Sequence, residues 1–211
     1  MKSKLNKYFL IPILLFISNN AFNQVDHLVE LKSCVPNIRY ALMYATDENF
    51  TGKRIYPKNT NQTYLVKDAA DALTKVAIEL EKTGMGILVW DAYRPHAATV
   101  KFWKLIHDER YVANPAKGSG HNRGIAIDMT LYKLSSGDMI EMPTGFDNFS
   151  DTAHHDFMQL NKEKINNRSI LKTIMEKNGF QSFQTEWWHY SWPNNKEYMV
   201  LNIPFKKIKK Q

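Results

Sequence analysis

Ser119-Gly-His-Asn-Arg-Gly-Ile-Ala-Ile-Asp-Met-Thr-Leu131 carries two signals in one stretch. From Ile125 to Leu131, apolar Ile125, Ile127 and Met129 alternate with Ala126, Asp128 and Thr130, the two-residue period of a strand. Just upstream, Gly120 and Gly124 flank His121 and mark a turn. On the strand period Asp128 shares a face with Ala126 and Thr130, opposite the isoleucines. A second stretch, Glu186-Trp-Trp-His189, opens a short strand-like segment ending at Ser191. The two stretches supply two imidazoles, a carboxylate and a spare carboxylate. That is the inventory of a catalytic zinc site, with His121, Asp128 and His189 as ligands, one open position, and Glu186 as the base for a water. Trp187 and Trp188 read as core and cleft walls.

Outward from these stretches, Lys67 to Thr83 is predicted as a helix. Ala69, Ala72, Leu73, Val76, Ala77 and Leu80 recur at helical spacing, Asp68 sits in the first turn, and Gly84 follows the end. Gly86 to Trp90 reads as a buried strand running into Asp91-Ala-Tyr-Arg-Pro95. His96 to Arg110 reads as a second helix with Val100, Trp103 and Ile106 or His107 on one face. Val25 to Tyr44 is expected as an extended entry segment, Asn49 to Gly52 as a turn, and Arg54 to Thr63, Asn114 to Arg123 and Ser135 to Ser150 as loops. Helical pattern returns at Ala153 to Lys164 and again at Ser169 to Lys177, with Ser169 as a cap and Gly179 as a stop. The strands are few and uneven, and no glycine-rich nucleotide loop appears. The expectation is an α+β fold: a small, largely antiparallel sheet with flanking helices.

The first 24 residues look like a cleaved secretion signal. Lys2, Lys4 and Lys7 precede an apolar run from Tyr8 to Ile17 and a short polar stretch around Ala21. The run is too short to span a bilayer, which takes about 20 residues. This implies export to the periplasm or medium and no stable membrane insertion once the leader is removed. Residues 25–211 suit one domain with a core of its own. The formal charge of +7 includes those three leader lysines, leaving +4 for the rest, too modest for a nucleic-acid protein. The basic end, Lys206 to Lys210, reads as a solvated terminus. Cys34 is the single cysteine, so no internal disulfide exists, and it lacks the context of a catalytic thiol.

Arg94, at the end of the Ile87–Trp90 strand, could stabilise an oxyanion. Its structural alternative is an ion pair with Asp91. The adjacent His154 and His155 are alternative ligands. No Gly-x-Ser-x-Gly elbow is present, and no Cys–His pairing has local support.

At these residues the chain resembles the D-alanyl-D-alanine dipeptidases, the zinc enzymes of vancomycin resistance. The resemblance rests on Ser119-Gly-His121-Asn-Arg-Gly124-Ile-Ala126-Ile-Asp128, Glu186-Trp-Trp-His189 and Asp91-Ala-Tyr-Arg94-Pro95, in that family's order. It extends to Asn37-Ile-Arg39-Tyr40 and Thr144-Gly-Phe-Asp147, and departs at Pro143, where a glycine is expected. It implies Zn2+ on His121, Asp128 and His189, Glu186 as general base and Arg94 as transition-state stabiliser. It further implies Ser119 on the substrate carboxylate, with Asp147 and Tyr40 on the substrate ammonium. The implied fold is the small α+β fold shared by zinc DD-carboxypeptidases and the hedgehog signalling domain. The implied activity is hydrolysis of the small D,D-dipeptide D-Ala-D-Ala, linked to cell-wall peptide turnover. Two alternatives stand beside it: a carboxypeptidase or endopeptidase of peptidoglycan stems, and a zinc-stabilised binding module without turnover.

Overall fold

The computed structural model describes residues 28–208, so the leader expected over residues 1–24 lies outside the described residues. Among the described residues there are seven strands and three α-helices. In chain order they are β1 (Leu28–Glu30), β2 (Ile38–Tyr40), β3 (Tyr64–Val66), α1 (Lys67–Glu81), β4 (Met85–Asp91), α2 (His96–Ile106), β5 (Ala126–Lys133), α3 (Lys162–Lys177), β6 (Gln181–Phe183) and β7 (Glu186–Ser191). Strands β2-β4-β5-β7-β6 form a five-stranded sheet, and β1 pairs with β3 in a separate ribbon. In the main sheet only β2–β4 is parallel; β4–β5, β5–β7 and β6–β7 are antiparallel. The architecture is α+β, as expected.

Burial explains the layering. On α1, Ala69, Ala70, Ala72, Leu73, Val76, Ala77 and Leu80 are buried and face the sheet, the stripe a 3.6-residue period demands. Leu171 and Met175 of α3 and Ile87, Val89, Ile127, Met129 and Leu131 of the sheet join the same core. A smaller cluster built on Leu42, Tyr44, Ile55, Tyr56, Ala98 and Phe102 packs under α2.

One irregularity decides where the polar groups go. Ile87 pairs with Leu131 and Val89 with Met129, but Asp91 then pairs with Asp128 rather than Ile127, so the register shifts between Val89 and Asp91. A bulge of this kind re-aims a side chain. Without it Asp91 would face the helical core with Val89. With it, Asp91 joins Asp128 and its cross-strand partner His189 in a row over three neighbouring strands.

Several boundaries differ from expectation. Helix α2 stops at Ile106 rather than Arg110 because His107 adopts a left-handed conformation (φ 47°). Its buried stripe is Ala98, Thr99 and Phe102, whereas Val100, Trp103 and Ile106 are half-buried. Of the two expected helical stretches, Ser169 to Lys177 lies in α3, while Ala153 to Lys164 is helical only from Lys162 onward. Asn161 caps α3, its side chain accepting from Lys164 N–H at 2.8 Å, and Ser169 is interior. Ala153 to Asn161 is irregular after one 3-10 turn, Asp151–Ala153. Within the expected entry segment, β1 and β2 are separate strands; β3 and β6 are also present.

Candidate metal centre

His121 sits on a single 3-10 turn, His121–Arg123, closed by Gly124. Gly124 is left-handed (φ +68°), and a Cβ there would meet Leu28 Cδ2 at 2.7 Å, so this turn requires glycine. The His121 Nδ1 lies 2.8 Å from the Ala92 carbonyl oxygen. That carbonyl can only accept, so Nδ1 is the donating nitrogen and Nε2 is the one turned to the cluster, the orientation metal ligands take from their outer partners. Nε2 stands 3.3 Å from Asp128 Oδ2 and 3.3 Å from His189 Nδ1. His189 Nδ1 is 2.8 Å from Asp128 Oδ1, and its other nitrogen lies 3.2 Å from Ser191 Oγ.

Ligand atoms from all three residues lie within 4.8 Å of one another. Tetrahedral ligands about 2.0–2.2 Å from an ion stand about 3.3 Å apart. The two imidazole nitrogens are 3.3 Å apart and each faces one oxygen of Asp128, at 2.8 Å (Oδ1) and 3.3 Å (Oδ2), an arrangement that suits a small divalent cation. His154 and His155 are not part of this group. Cys34 is also remote from it, its thiol facing the carbonyls of Glu30 and Leu31.

The charges favour the same use. Burial alone would raise the Asp128 carboxyl, but His121 and His189 outweigh it and hold the group well below the usual carboxylate range. Burial pulls His189 down, yet its hydrogen bond to Asp128 and the charges of Asp128 and Glu186 raise it overall. Glu186 opens β7, three residues before His189. Burial raises its carboxyl, with His189 opposing and Asp128 reinforcing the shift. A carboxylate made more basic beside a cation site is a candidate proton acceptor.

These groups share a cavity of about 240 Å³ whose wall includes Arg94, Ser119, Asp147, Glu186 and Trp188. Pro143 is not in that wall. Trp187 and Trp188 are both buried, and Trp188 lines the cavity, so core and wall are both represented. Arg94 is held by Asp91 Oδ2, which accepts from Nε at 3.0 Å and Nη2 at 2.8 Å. The ion pair and the cavity position coexist: Asp91 takes two of the five guanidinium N–H groups while Arg94 lines the cavity wall. Ser119 Oγ accepts from the Asn122 backbone N–H at 3.2 Å.

Tyr40 does not reach the cavity. Its hydroxyl donates to Glu30 Oε1 at 2.8 Å and accepts from Lys32 N–H at 2.8 Å. Tyr44, on the 3-10 turn that follows, lines the cavity instead, with its hydroxyl 3.1 Å from both oxygens of Asp147. Asp147 has φ +56°, a strained conformation for a non-glycine residue. Burial and the nearby Asp128 charge push its carboxyl well up, against the Tyr44 hydrogen bond and Arg94. A carboxyl so placed gains from an incoming cation. Nothing in the sequence around Tyr44, which lies between Met43 and Ala45, marks it as a partner of the distant Asp147.

A sequence profile described as D-ala-D-ala dipeptidase matches residues 24–210. The D-alanyl-D-alanine dipeptidase of Escherichia coli is 35% identical over 183 residues, covering 87% of this chain and 93% of that one. Those of Enterococcus faecalis and Streptomyces coelicolor are each 35% identical, over 178 and 191 residues, covering 76% and 81% of this chain and 88% and 90% of theirs. A solved LD-carboxypeptidase overlaps at a TM-score of 0.43 and 18% identity, covering 88% of this chain and 79% of that one, too loose to weigh.

Proposed function

The chain belongs to the D-ala-D-ala dipeptidase family of metallopeptidases, and from that premise we propose that it hydrolyses D-Ala-D-Ala to free D-alanine at a zinc centre. The observation that carries this reading is the convergence of His121, Asp128 and His189 with Glu186 and Arg94 on one small cavity. The N,N,O donor set suits Zn2+. When bound, the ion supplies Lewis acidity, polarising the scissile carbonyl and making water a stronger acid. Glu186 takes the proton of the attacking water and delivers it to the leaving amine. Arg94 donates to the carbonyl oxygen as negative charge builds there. The Tyr44–Asp147 pair receives the substrate ammonium, and the Ser119 hydroxyl donates to the terminal carboxylate.

Size supports a dipeptide over a wall stem. A cavity of about 240 Å³ falls below the ~300–1,000 Å³ that drug-sized ligands occupy. A free ammonium facing Asp147 also requires that the substrate end there. The basic and apolar leader supports export, so wall-derived peptides are the source we favour. The test is incubation of the purified protein with D-Ala-D-Ala and with muropeptides, with and without chelator, while released D-alanine is measured. Chelator-sensitive cleavage of the dipeptide supports the proposal; cleavage of muropeptides alone sinks it.

A further inference from the structure

We propose that Asn122 is a positioning residue: its buried amide fastens the Arg94 segment to the His121 turn and so fixes Arg94 relative to the metal ligands. The inference rests on the role of Arg94 proposed above.

Asn122 is fully buried, yet every polar atom it carries is used. Its Nδ2 donates to the Arg94 carbonyl oxygen at 2.9 Å and to Thr99 Oγ1 at 2.9 Å. Its Oδ1 accepts from the Ser119 backbone N–H at 3.0 Å and from the Thr99 hydroxyl at 3.2 Å. The donor and acceptor demands of Arg94 O and Ser119 N–H fix which amide atom is which. No other side chain of this size brings two donors and an acceptor to such a point. Aspartate lacks the donors, serine lacks the reach, and leucine lacks both.

The place of these bonds matters as much as their number. Strand β4 ends at Asp91, so Ala92, Tyr93 and Arg94 have no ladder to hold them. Pro95 follows at the cap of α2. Three contacts replace the ladder on the His121 side: His121 Nδ1 to Ala92 O at 2.8 Å, Arg94 N–H to His121 O at 3.0 Å, and Asn122 Nδ2 to Arg94 O at 2.9 Å. They zip one metal ligand to the residue proposed to meet the oxyanion. Asp91 fixes the far end of the Arg94 side chain; Asn122 fixes its backbone. The rival account makes Asn122 only a filler of buried hydrogen bonds, which would affect folding without regard to Arg94.

A double-mutant cycle separates the two accounts. Turnover of D-Ala-D-Ala, bound metal per chain and the thermal midpoint are measured for Arg94→Ala, Asn122→Ala and the double variant. Misplacement by about 1 Å can cost ~10²-fold, so Asn122→Ala is expected to lower kcat roughly 10- to 100-fold with one metal per chain retained. In the Arg94→Ala background the same substitution is expected to cost less than about threefold. Asn122→Ser fits the space and carries the same cycle should Asn122→Ala not fold. Thr99→Val is the control for stability: it removes one Asn122 partner but leaves the Arg94 bond, so the midpoint falls while kcat stays within about twofold. Equal losses in both backgrounds, or an Asn122 variant with wild-type kcat, overturn the proposal. A wild-type rate for Arg94→Ala overturns the Arg94 reading instead.

Discussion

Asp91 grips Arg94 through one oxygen, Oδ2, while its other oxygen takes the Tyr56 hydroxyl at 2.7 Å. The pair is buried, so breaking it strands a charge. Asp91→Ala is expected to cost about 3–5 kcal/mol of unfolding free energy, read by urea denaturation. Tyr56→Phe removes only the supporting hydroxyl and is expected to cost about 1–3 kcal/mol. Equal costs for the two would show that the ion pair contributes little.

Glu186 is the residue on which the proposed chemistry turns. Glu186→Gln keeps the size and cavity position while removing the proton acceptor. Metal content is expected to stay at one ion per chain while kcat falls ~10²- to 10⁴-fold. Wild-type turnover in a metal-loaded variant assigns the base elsewhere.

The position of Tyr44 against Tyr40 yields a sharp contrast. Asp147→Asn weakens the expected ammonium site, and a lost charged hydrogen bond of about 1.5–3 kcal/mol corresponds to a KM rise of roughly 10- to 100-fold. Tyr44→Phe is expected to raise KM as well, while Tyr40→Phe leaves it unchanged because that hydroxyl is committed to Glu30. A KM change in Tyr40→Phe alone reverses this placement.

Ion removal should register in stability as well as rate. The three ligands converge only in the folded chain, so an ion that binds them stabilises the native state by mass action. Dialysis against chelator is expected to lower the thermal midpoint of wild-type protein and to leave that of His121→Ala nearly unmoved. Equal shifts in both proteins would place the ion elsewhere.

His155 supplies a pH dependence separate from the centre. Its two ring nitrogens are buried without a hydrogen-bond partner, and its ring packs on Tyr190. Burial, aided by Lys172 and Arg168, holds its pKa down to about 4. The unfolded chain binds this proton near pH 6.5. Above that pH neither state is protonated and nothing is lost. As pH falls from about 6.5 to about 4, only the unfolded state gains the proton, so stability declines. The urea midpoint is expected to drop more between pH 7 and pH 4.5 in wild-type protein than in His155→Phe. Parallel curves would remove His155 as the source.

Much of this site was legible because its ligands fall on elements with strong local patterns. The alternation through Ile125–Leu131 placed Asp128 on the face opposite the isoleucines, and the paired glycines marked the His121 turn. Helix α1 was legible from its alanine and leucine stripe. The three-residue strands β1, β2, β3 and β6 carry too few side chains to show a period; their neighbours create them. Helix α3 begins in a polar run whose buried residues include Asn167 and Arg168, so its apolar pattern starts late. The Val89–Asp91 bulge has no sequence mark. It is the reason Asp91 could be named as a partner of Arg94 but not placed in line with Asp128 and His189.

That line has a consequence for assembly of the protein. Asp128 and His189 oppose each other across β5 and β7, and a slip of one residue in that pairing would turn one of them to the far side of the sheet. The same slip would carry Ile127 and Met129 of β5 out of register with the core, so a misaligned sheet loses packing and ligand geometry together. An ion held by both residues would add its binding free energy to that one alignment, so metal uptake by the folded chain would report the β5–β7 register as well as the ligands themselves.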